Sequence, residues 1–466
     1  MKLLLESCIL LLLALGGSAH AQLSYPGLLT SPFDDPRTPL GMAPTLLQSR
    51  PEPLPPPGVV WEGRDELTVH TNKGSQGLLE DVHANGFGLS VRAALGRSPD
   101  APQLVLSRFS LDTGLADNEG GKAFHVRGRF RQPEVRLLWP VRHQGLAYAG
   151  YQETDYDVGG TTRLYDGLFT IFPQTPPLLY KGRKRLALAG LRLSLSPNWT
   201  AEAAAGLVSE PSRLTLHQDR GATQLTLPFD DSGRTVLLAV RRRLTPRSSL
   251  TAYAGGESLR GSGNVAREQE RVIGSADTTH REDGGGLAWQ RAFGARRTVG
   301  IFAETSCDRW QTRGFIADPR TLQTGSLFAS DLFYGASYVI RKNAVGVRWR
   351  QATAGGREFQ GNIQLVEASV FGEADYAVRD FGLQKTGQTV YRQDHLRLLL
   401  LRGSYLVPWH RFRFGLEASQ LIPLGGGGQG GADRSSGNGG GGGATSPDRR
   451  TTTGGWALNV RIERLF

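Results

Sequence analysis

Cysteine is nearly absent from this 466-residue chain, which has two. Cys8 lies in an apolar leader, so Cys307 would stand alone after processing, and no internal disulfide framework can hold the exported protein together. Long apolar runs are equally scarce. Beyond the first residues, no segment approaches the roughly 20 consecutive apolar residues that a membrane helix needs. Helical periodicity is missing as well, since hardly any window keeps a 3.6-residue pattern for three turns. The basic balance, +11 at neutral pH, would suit nucleic acid. Its arginines, however, are spread along the chain, many at alternating positions, rather than gathered in one run or on a helix, which argues against such a partner. His-x-x-x-His spacings and cysteine pairs are absent, and none of His70, His83, His125, His143, His217, His280, His395 or His410 sits in a local catalytic motif. The expectation is therefore no metal, no cofactor and no enzyme. His280, in "SADTTHRED", reads as a solvated outer-loop histidine.

What is present begins with "MKLLLESCILLLLALGGSAHAQ". Lys2, an apolar core from Cys8 to Leu15, and the small-x-small site Ala19-His20-Ala21 form a secretory signal peptide over 1–21. Its removal takes away Lys2 and Glu6, one charge of each sign. Cys8 has no small residues just before it and does not read as an acylation site. Proline then dominates residues 22–58, favouring extended, unpaired backbone. This segment is a periplasmic linker or a partial plug.

From Val59 to Phe466 the texture is uniform: short stretches of period-two alternation between Gly, Asp, Asn, Pro and Ser clusters. "KAFHVRGRFR" sets Phe124, Val126, Gly128 and Phe130 against His125, Arg127, Arg129 and Arg131. "PEVRLLWPVRH" sets Val135, Leu137, Trp139 and Val141 against Glu134, Arg136, Leu138 and Arg142. The same division separates Val236, Leu238 and Val240 from Arg241 and Arg243, and Val345, Val347 and Trp349 from Arg348 and Arg350. It separates Phe412, Phe414 and Leu416 from Arg411, Arg413 and Glu417. "RLALAGLRLSL" changes phase at Ala189-Gly190, as a β-bulge would. "SPNW", "TPRSS", "FGARR", "RKNA" (341–344) and "PWHR" read as tight turns. Residues 261–283, 308–324 and the glycine-rich 425–450 read as long outer loops.

A soluble sandwich could not bury such arginine-rich faces, because unpaired buried charges cost several kcal/mol. A closed barrel with its apolar face to lipid and its arginines in water satisfies both faces and every backbone group. About ten residues per crossing give a belt of roughly 25 Å. Trp199 and Trp409 lie beside tight turns, as an interfacial girdle requires. The expected fold is an all-β transmembrane antiparallel up-and-down barrel over 59–466. It should have about 18 strands (range ~16–20), short periplasmic turns and long outer loops.

The final stretch, "GGWALNVRIERLF", alternates Trp456, Leu458, Val460, Ile462 and Phe466 with polar residues. With the signal peptide and the repeated strands, it resembles Gram-negative outer-membrane β-barrel proteins of the porin-like type. In that group such a terminal strand resembles the signal read by the barrel-assembly machinery. Arg464 departs from the pattern, at small cost near an interface where arginine snorkels.

The inferred lumen-lining set is Arg127, Arg129, Arg131, Arg136, Arg142, Arg241, Arg243, Arg348, Arg350, Arg411, Arg413 and Arg461. Only Glu134, Glu304, Glu417 and Glu463 oppose it. An arginine excess favours anions, so the expected function is passive diffusion of small, preferentially anionic solutes. The alternative is a non-conducting scaffold or surface-interaction barrel closed by loops or by the proline-rich segment. Expected partners are outer-membrane lipid and lipopolysaccharide, the barrel-assembly machinery, small anionic solutes and, in a homo-oligomer, further copies of the chain. Deleting Phe466 should impair outer-membrane assembly far more than Arg464→Tyr, read as the heat-modifiable fraction in membranes. Normal assembly without Phe466 would remove the terminal-signal reading.

Overall fold

The computed structural model describes residues 57–73, 78–98, 101–119, 122–141, 145–162, 177–217, 224–267, 271–316, 331–380, 383–430, 433–434 and 450–465. The leader, nearly all of the proline-rich segment, Arg142, His143, most of the glycine tract and Phe466 lie outside these residues. In chain order the strands are β1 (Gly58–Lys73), β2 (Leu78–Ala94), β3 (Gln103–Glu119), β4 (Lys122–Val141), β5 (Gly145–Thr162) and β6 (Pro177–Ser196). There follow β7 (Trp199–His217), β8 (Gln224–Thr245), β9 (Ser248–Arg267), β10 (Arg271–Phe293), β11 (Arg297–Ile316) and β12 (Asp331–Ala352). The last are β13 (Glu358–Asp380), β14 (Leu383–Trp409), β15 (Phe412–Gly430), the two-residue β16 (Asp433–Arg434) and β17 (Arg450–Leu465).

Each long strand pairs antiparallel with its neighbours in sequence, and β17 pairs with both β15 and β1. β16 adds only a short bridge to β14. The result is a closed ring of sixteen long strands. The count is sixteen rather than eighteen because the strands are 16 to 27 residues long. About ten would cross a bilayer, so each strand consumes more chain than a minimal crossing.

Closure leaves no sheet edge and pairs the backbone all round, as a bilayer demands. Alternating side chains then divide into a convex and a concave face. The convex face carries the exposed apolar set, among them Val135, Trp139, Leu191, Leu207, Leu238, Val240, Ile301, Val347, Ile363, Leu416 and Val460. These residues fall within about ten positions of one end of the barrel and form a belt there. That end holds the short turns at Pro197–Asn198, Pro246–Arg247, Gly294–Arg296 and His410–Arg411. Gly294 takes φ 73° in its turn, a conformation glycine adopts without a Cβ penalty. The opposite, loop-side end extends well beyond the belt, and its outer face is charged.

Four expectations about local structure change. "RKNA" is not a turn: β12 runs straight through it with Lys342 and Ala344 on the inner face, and the turn falls at 353–357. No bulge occurs at Ala189-Gly190, because the β5–β6 and β6–β7 registers are unbroken there. Leu186 and Leu188 instead face inward and are buried, while Leu191 and Leu195 face outward. The apolar positions swap faces because the strand leaves the belt and enters an internal packing cluster. Residues 261–283 are mostly the paired ends of β9 and β10 rather than a long loop. Residues 308–316 likewise belong to β11.

Three strand prolines interrupt the ladder at or beyond the loop-side edge of the belt. Pro133, Pro211 and Pro228 each sit where a ladder is interrupted, at β4–β5, β6–β7 and β8–β9. Proline has no N–H to donate, and water can satisfy the freed partners there but not in hydrocarbon.

Leu238→Arg, placed in the belt, should cost about 2–4 kcal/mol in urea unfolding from lipid vesicles. Arg234→Ala, on the same outer face beyond the belt, should stay within about 0.5 kcal/mol. Equal costs would misplace the belt.

Candidate functional site

The concave wall is the candidate site, and it is built from three kinds of contact. Toward the turn side, cations meet carboxylates. Arg92 of β2 pairs with Glu463 of β17, their side chains only 10% and 5% exposed, and Arg413 approaches the same carboxylate at 3.9 Å. Arg461 lies 3.7 Å from Glu62, Arg402 2.7 Å from Glu417, and Arg136 pairs with Glu134. Arg350 pairs with Glu358 at 2.5 Å. Arg348 instead stacks 4.2 Å above the Phe302 ring, a cation–π contact.

The middle of the wall is largely apolar. Val105, Leu138, Leu186, Leu188, Leu237 and Leu259 pack together on one side. Val366, Leu396, Leu398, Leu400 and Leu421 do so on another.

Three tyrosines cross this wall in the same way. Tyr148 of β5 lies opposite Gly190 of β6 and donates to Glu202 of β7 at 2.9 Å. Eight positions further up, Tyr156 lies opposite Gly182 and donates to Glu210 at 2.8 Å. Tyr253 of β9 lies opposite Gly286 of β10 and donates to Glu304 of β11 at 2.8 Å. A Cβ at any of these glycines would sit 2.2 to 2.6 Å from a tyrosine atom. Glycine therefore clears a lane for the ring to cross one strand and bond the next but one.

Beyond the belt, toward the loop side, the wall holds a buried polar layer. Lys184 bonds Glu257 at 2.6 Å, three strands away, which requires a sharply curved wall. His280 meets Asp308 at 2.8 Å, and Thr278 donates to Asp231. His280 is thus an inward, 2% exposed residue of β10, not a solvated loop histidine. Burial pushes the Glu210 and Glu282 carboxyls up. Burial works against the charged form of His280, but the Asp308 carboxylate outweighs it and raises the imidazole.

The twelve sequence-inferred lumen arginines separate. Arg136, Arg241, Arg348, Arg350, Arg413 and Arg461 lie on the inner face, with Arg243 at its turn-side mouth. Arg411 is in the turn after β14, and Arg142 lies outside the described residues. Arg127, Arg129 and Arg131 face outward. Strand β4 keeps one register from Lys122 to Val141, so Phe130 shares the inner face with Glu134 and Arg136. Reading "KAFHVRGRFR" and "PEVRLLWPVRH" as separate strands assigned them opposite phases. Carrying parity along the whole strand would also have found Arg92, Arg192, Lys184, Glu202, Glu210 and Glu257. With these carboxylates present, the described inner wall is a mixed-charge surface. Among the described residues no group of His, Cys, Asp and Glu is arranged to hold a metal ion.

The raised groups hold their protons to higher pH in the folded chain than in the unfolded one. The stability they contribute is complete below the unfolded carboxylate range, about pH 4.3, and is lost as pH rises through the raised folded values. The unfolding midpoint of the wild type should therefore fall between about pH 5 and pH 8. Glu210→Gln with Glu282→Gln should flatten that slope. An unchanged slope in the double variant would contradict the assignment.

No protein-family model and no curated protein matches the sequence. Among solved structures, the chain is similar to a FadL homologue of Pseudomonas aeruginosa: 11% identity over 88% of this chain and 90% of that one, TM-score 0.44. It is similar to the toluene transporter TbuX of Ralstonia pickettii: 10% identity, 89% and 90% covered, TM-score 0.40. It is also similar to the toluene transporter TodX of Pseudomonas putida: 12% identity, 88% and 90% covered, TM-score 0.34. At such identities and scores, function has to be argued from the chain's own residues.

Proposed function

We propose that this chain is an outer-membrane channel through which small solutes diffuse, with its short turns in the periplasm and its loop side outward. One observation carries the reading: a closed sixteen-strand ring whose outer face is an apolar belt and whose inner face holds ion pairs and buried polar groups. A wall that is apolar outside, and that carries paired charges and buried polar groups on either side of an apolar middle inside, separates lipid from a path through the ring.

Selectivity is expected to be weak along most of the lumen, because the inner arginines there are matched by carboxylates. The exception is the turn-side mouth. Arg192 of β6 and Arg241 and Arg243 of β8 share the inner face near Glu202, a carboxylate that Tyr148 also engages. This excess of guanidinium would give a mild anion preference.

Refolded protein in a planar bilayer should show discrete conductance steps. Under a salt gradient the reversal potential should favour anions slightly. Arg241→Glu with Arg243→Glu should move it toward cations. A silent wild-type barrel, inserted and folded, would overturn the channel reading in favour of a non-conducting scaffold.

A further inference from the structure

Arg127, Arg129 and Arg131 serve no luminal purpose, since they stand on the outer wall just beyond the apolar belt. Four adjacent strands there carry charged columns. β4 offers the three arginines, β5 offers Glu153, Asp155 and Asp157, β6 offers Lys181, Arg183 and Arg185, and β7 offers Arg213. Their register places Asp155 between Arg131 and Arg183, and Asp157 between Arg129 and Lys181. The acidic column is consumed by the β6 column: Arg183 meets Asp155 at 2.6 Å, Lys181 meets Asp157 at 3.2 Å and Arg185 meets Glu153 at 3.2 Å. Arg129 is taken by Asp112 of β3 at 3.1 Å. Arg127, Arg131 and Arg213 point outward and are exposed, and among the described residues none of the three forms an ion pair with a carboxylate.

Arg213 has a further peculiarity. It lies directly opposite Lys181 across the β6–β7 ladder, and like charges so placed repel and destabilise a sheet. A groove of about 580 Å³ opens at this pair, lined by Lys181, Arg183, Arg213, Asp155 and Asp230. A patch with surplus guanidinium, a repelling basic pair and a groove between them is complementary to a multiply anionic ligand. Its position selects which one. The patch faces sideways, on the convex surface, immediately past Val135 and Leu207 of the belt. A solute in transit does not visit that surface, but the headgroups of the surrounding leaflet do. Guanidinium is suited to phosphate because it offers paired N–H donors in a planar fork.

We propose that the outer wall of β4–β7 binds the phosphate groups of an outer-leaflet phosphoglycolipid of the lipopolysaccharide type, with Arg127, Arg131 and Arg213 as its principal contacts. This rests on the outer-membrane placement above but not on conduction. Insertion into vesicles free of lipopolysaccharide reports the placement separately from binding.

The test is a titration of full-length barrel refolded in detergent with three probes: lipopolysaccharide, a zwitterionic phospholipid and inorganic phosphate. Lipopolysaccharide should bind with salt-sensitive affinity, and the other two should bind far more weakly. Arg127→Ala, Arg131→Ala and Arg213→Ala combined should weaken lipopolysaccharide binding at least about tenfold while leaving conductance unchanged. The corresponding lysine substitutions should retain most of it. Should the alanine combination fail to fold, Arg213→Ala alone should still lower both affinity and its salt dependence. Unchanged affinity in these variants would overturn the proposal. So would inorganic phosphate binding as tightly as the glycolipid.

Discussion

Everything in this molecule depends on one backbone pairing, that of β1 with β17. The two strands are separated by almost the whole chain, yet they run in register from Gly58 opposite Leu465 to Lys73 opposite Arg450. Without that ladder the sheet would have two edges, each with a row of unpaired N–H and C=O groups in hydrocarbon, where each costs several kcal/mol. Once it forms, the sheet has a convex and a concave face, and the alternation in every strand acquires its meaning. Arg464 fits the same frame: it points outward at the turn-side rim, 6.0 Å above the Phe412 ring.

Closure alone leaves a wall whose inner side chains must satisfy one another. The chain does this through a short set of devices. Carboxylates sit up to three strands from their cations, as Glu463 does from Arg92 and Glu257 from Lys184. Tyrosines cross glycine lanes to reach Glu202, Glu210 and Glu304. The tyrosine bonds and the longer ion pairs, Arg92 with Glu463 and Lys184 with Glu257, link strands that share no backbone hydrogen bond, so they stiffen curvature where the ladder cannot. They also change the electrostatics of the lumen. The arginine excess suggested by short segments becomes a paired lining, with a surplus confined to the mouth around Arg241 and Arg243.

The outer face repeats this logic in different surroundings. Inside the belt, Leu238, Ile301 and Val460 meet lipid and carry no charge. Past it, the same outward parity places Arg131, Asp155 and Arg183 side by side. The ladder interruptions at Pro133, Pro211 and Pro228 lie at or beyond this change, because an interrupted ladder is tolerable only where water or headgroups can reach it.

The fold was legible in the sequence because a barrel strand writes its environment into every second residue. "TVLLAVRRRL" and "NAVGVRWRQ" already placed Val236, Leu238, Arg241, Arg348 and Arg350 on the faces they occupy. The terminal stripe of Trp456, Leu458, Val460 and Ile462 is likewise on the outer face. Local alternation sets which residues oppose each other across one strand. It does not say which of the two sets faces lipid, because beyond the belt both sides are wet and either tolerates charge. Arg127, Arg129 and Arg131 were assigned inward for that reason, and only the unbroken β4 register turned them outward. Strand length was hidden similarly, since "RKNA" and residues 261–283 have turn-like composition but continue a ladder whose partners lie on other strands. Fold class and belt were thus local properties of the chain. The pairings of Arg92 with Glu463, Lys184 with Glu257 and Tyr156 with Glu210 were decided by curvature and register, which exist only once distant strands meet.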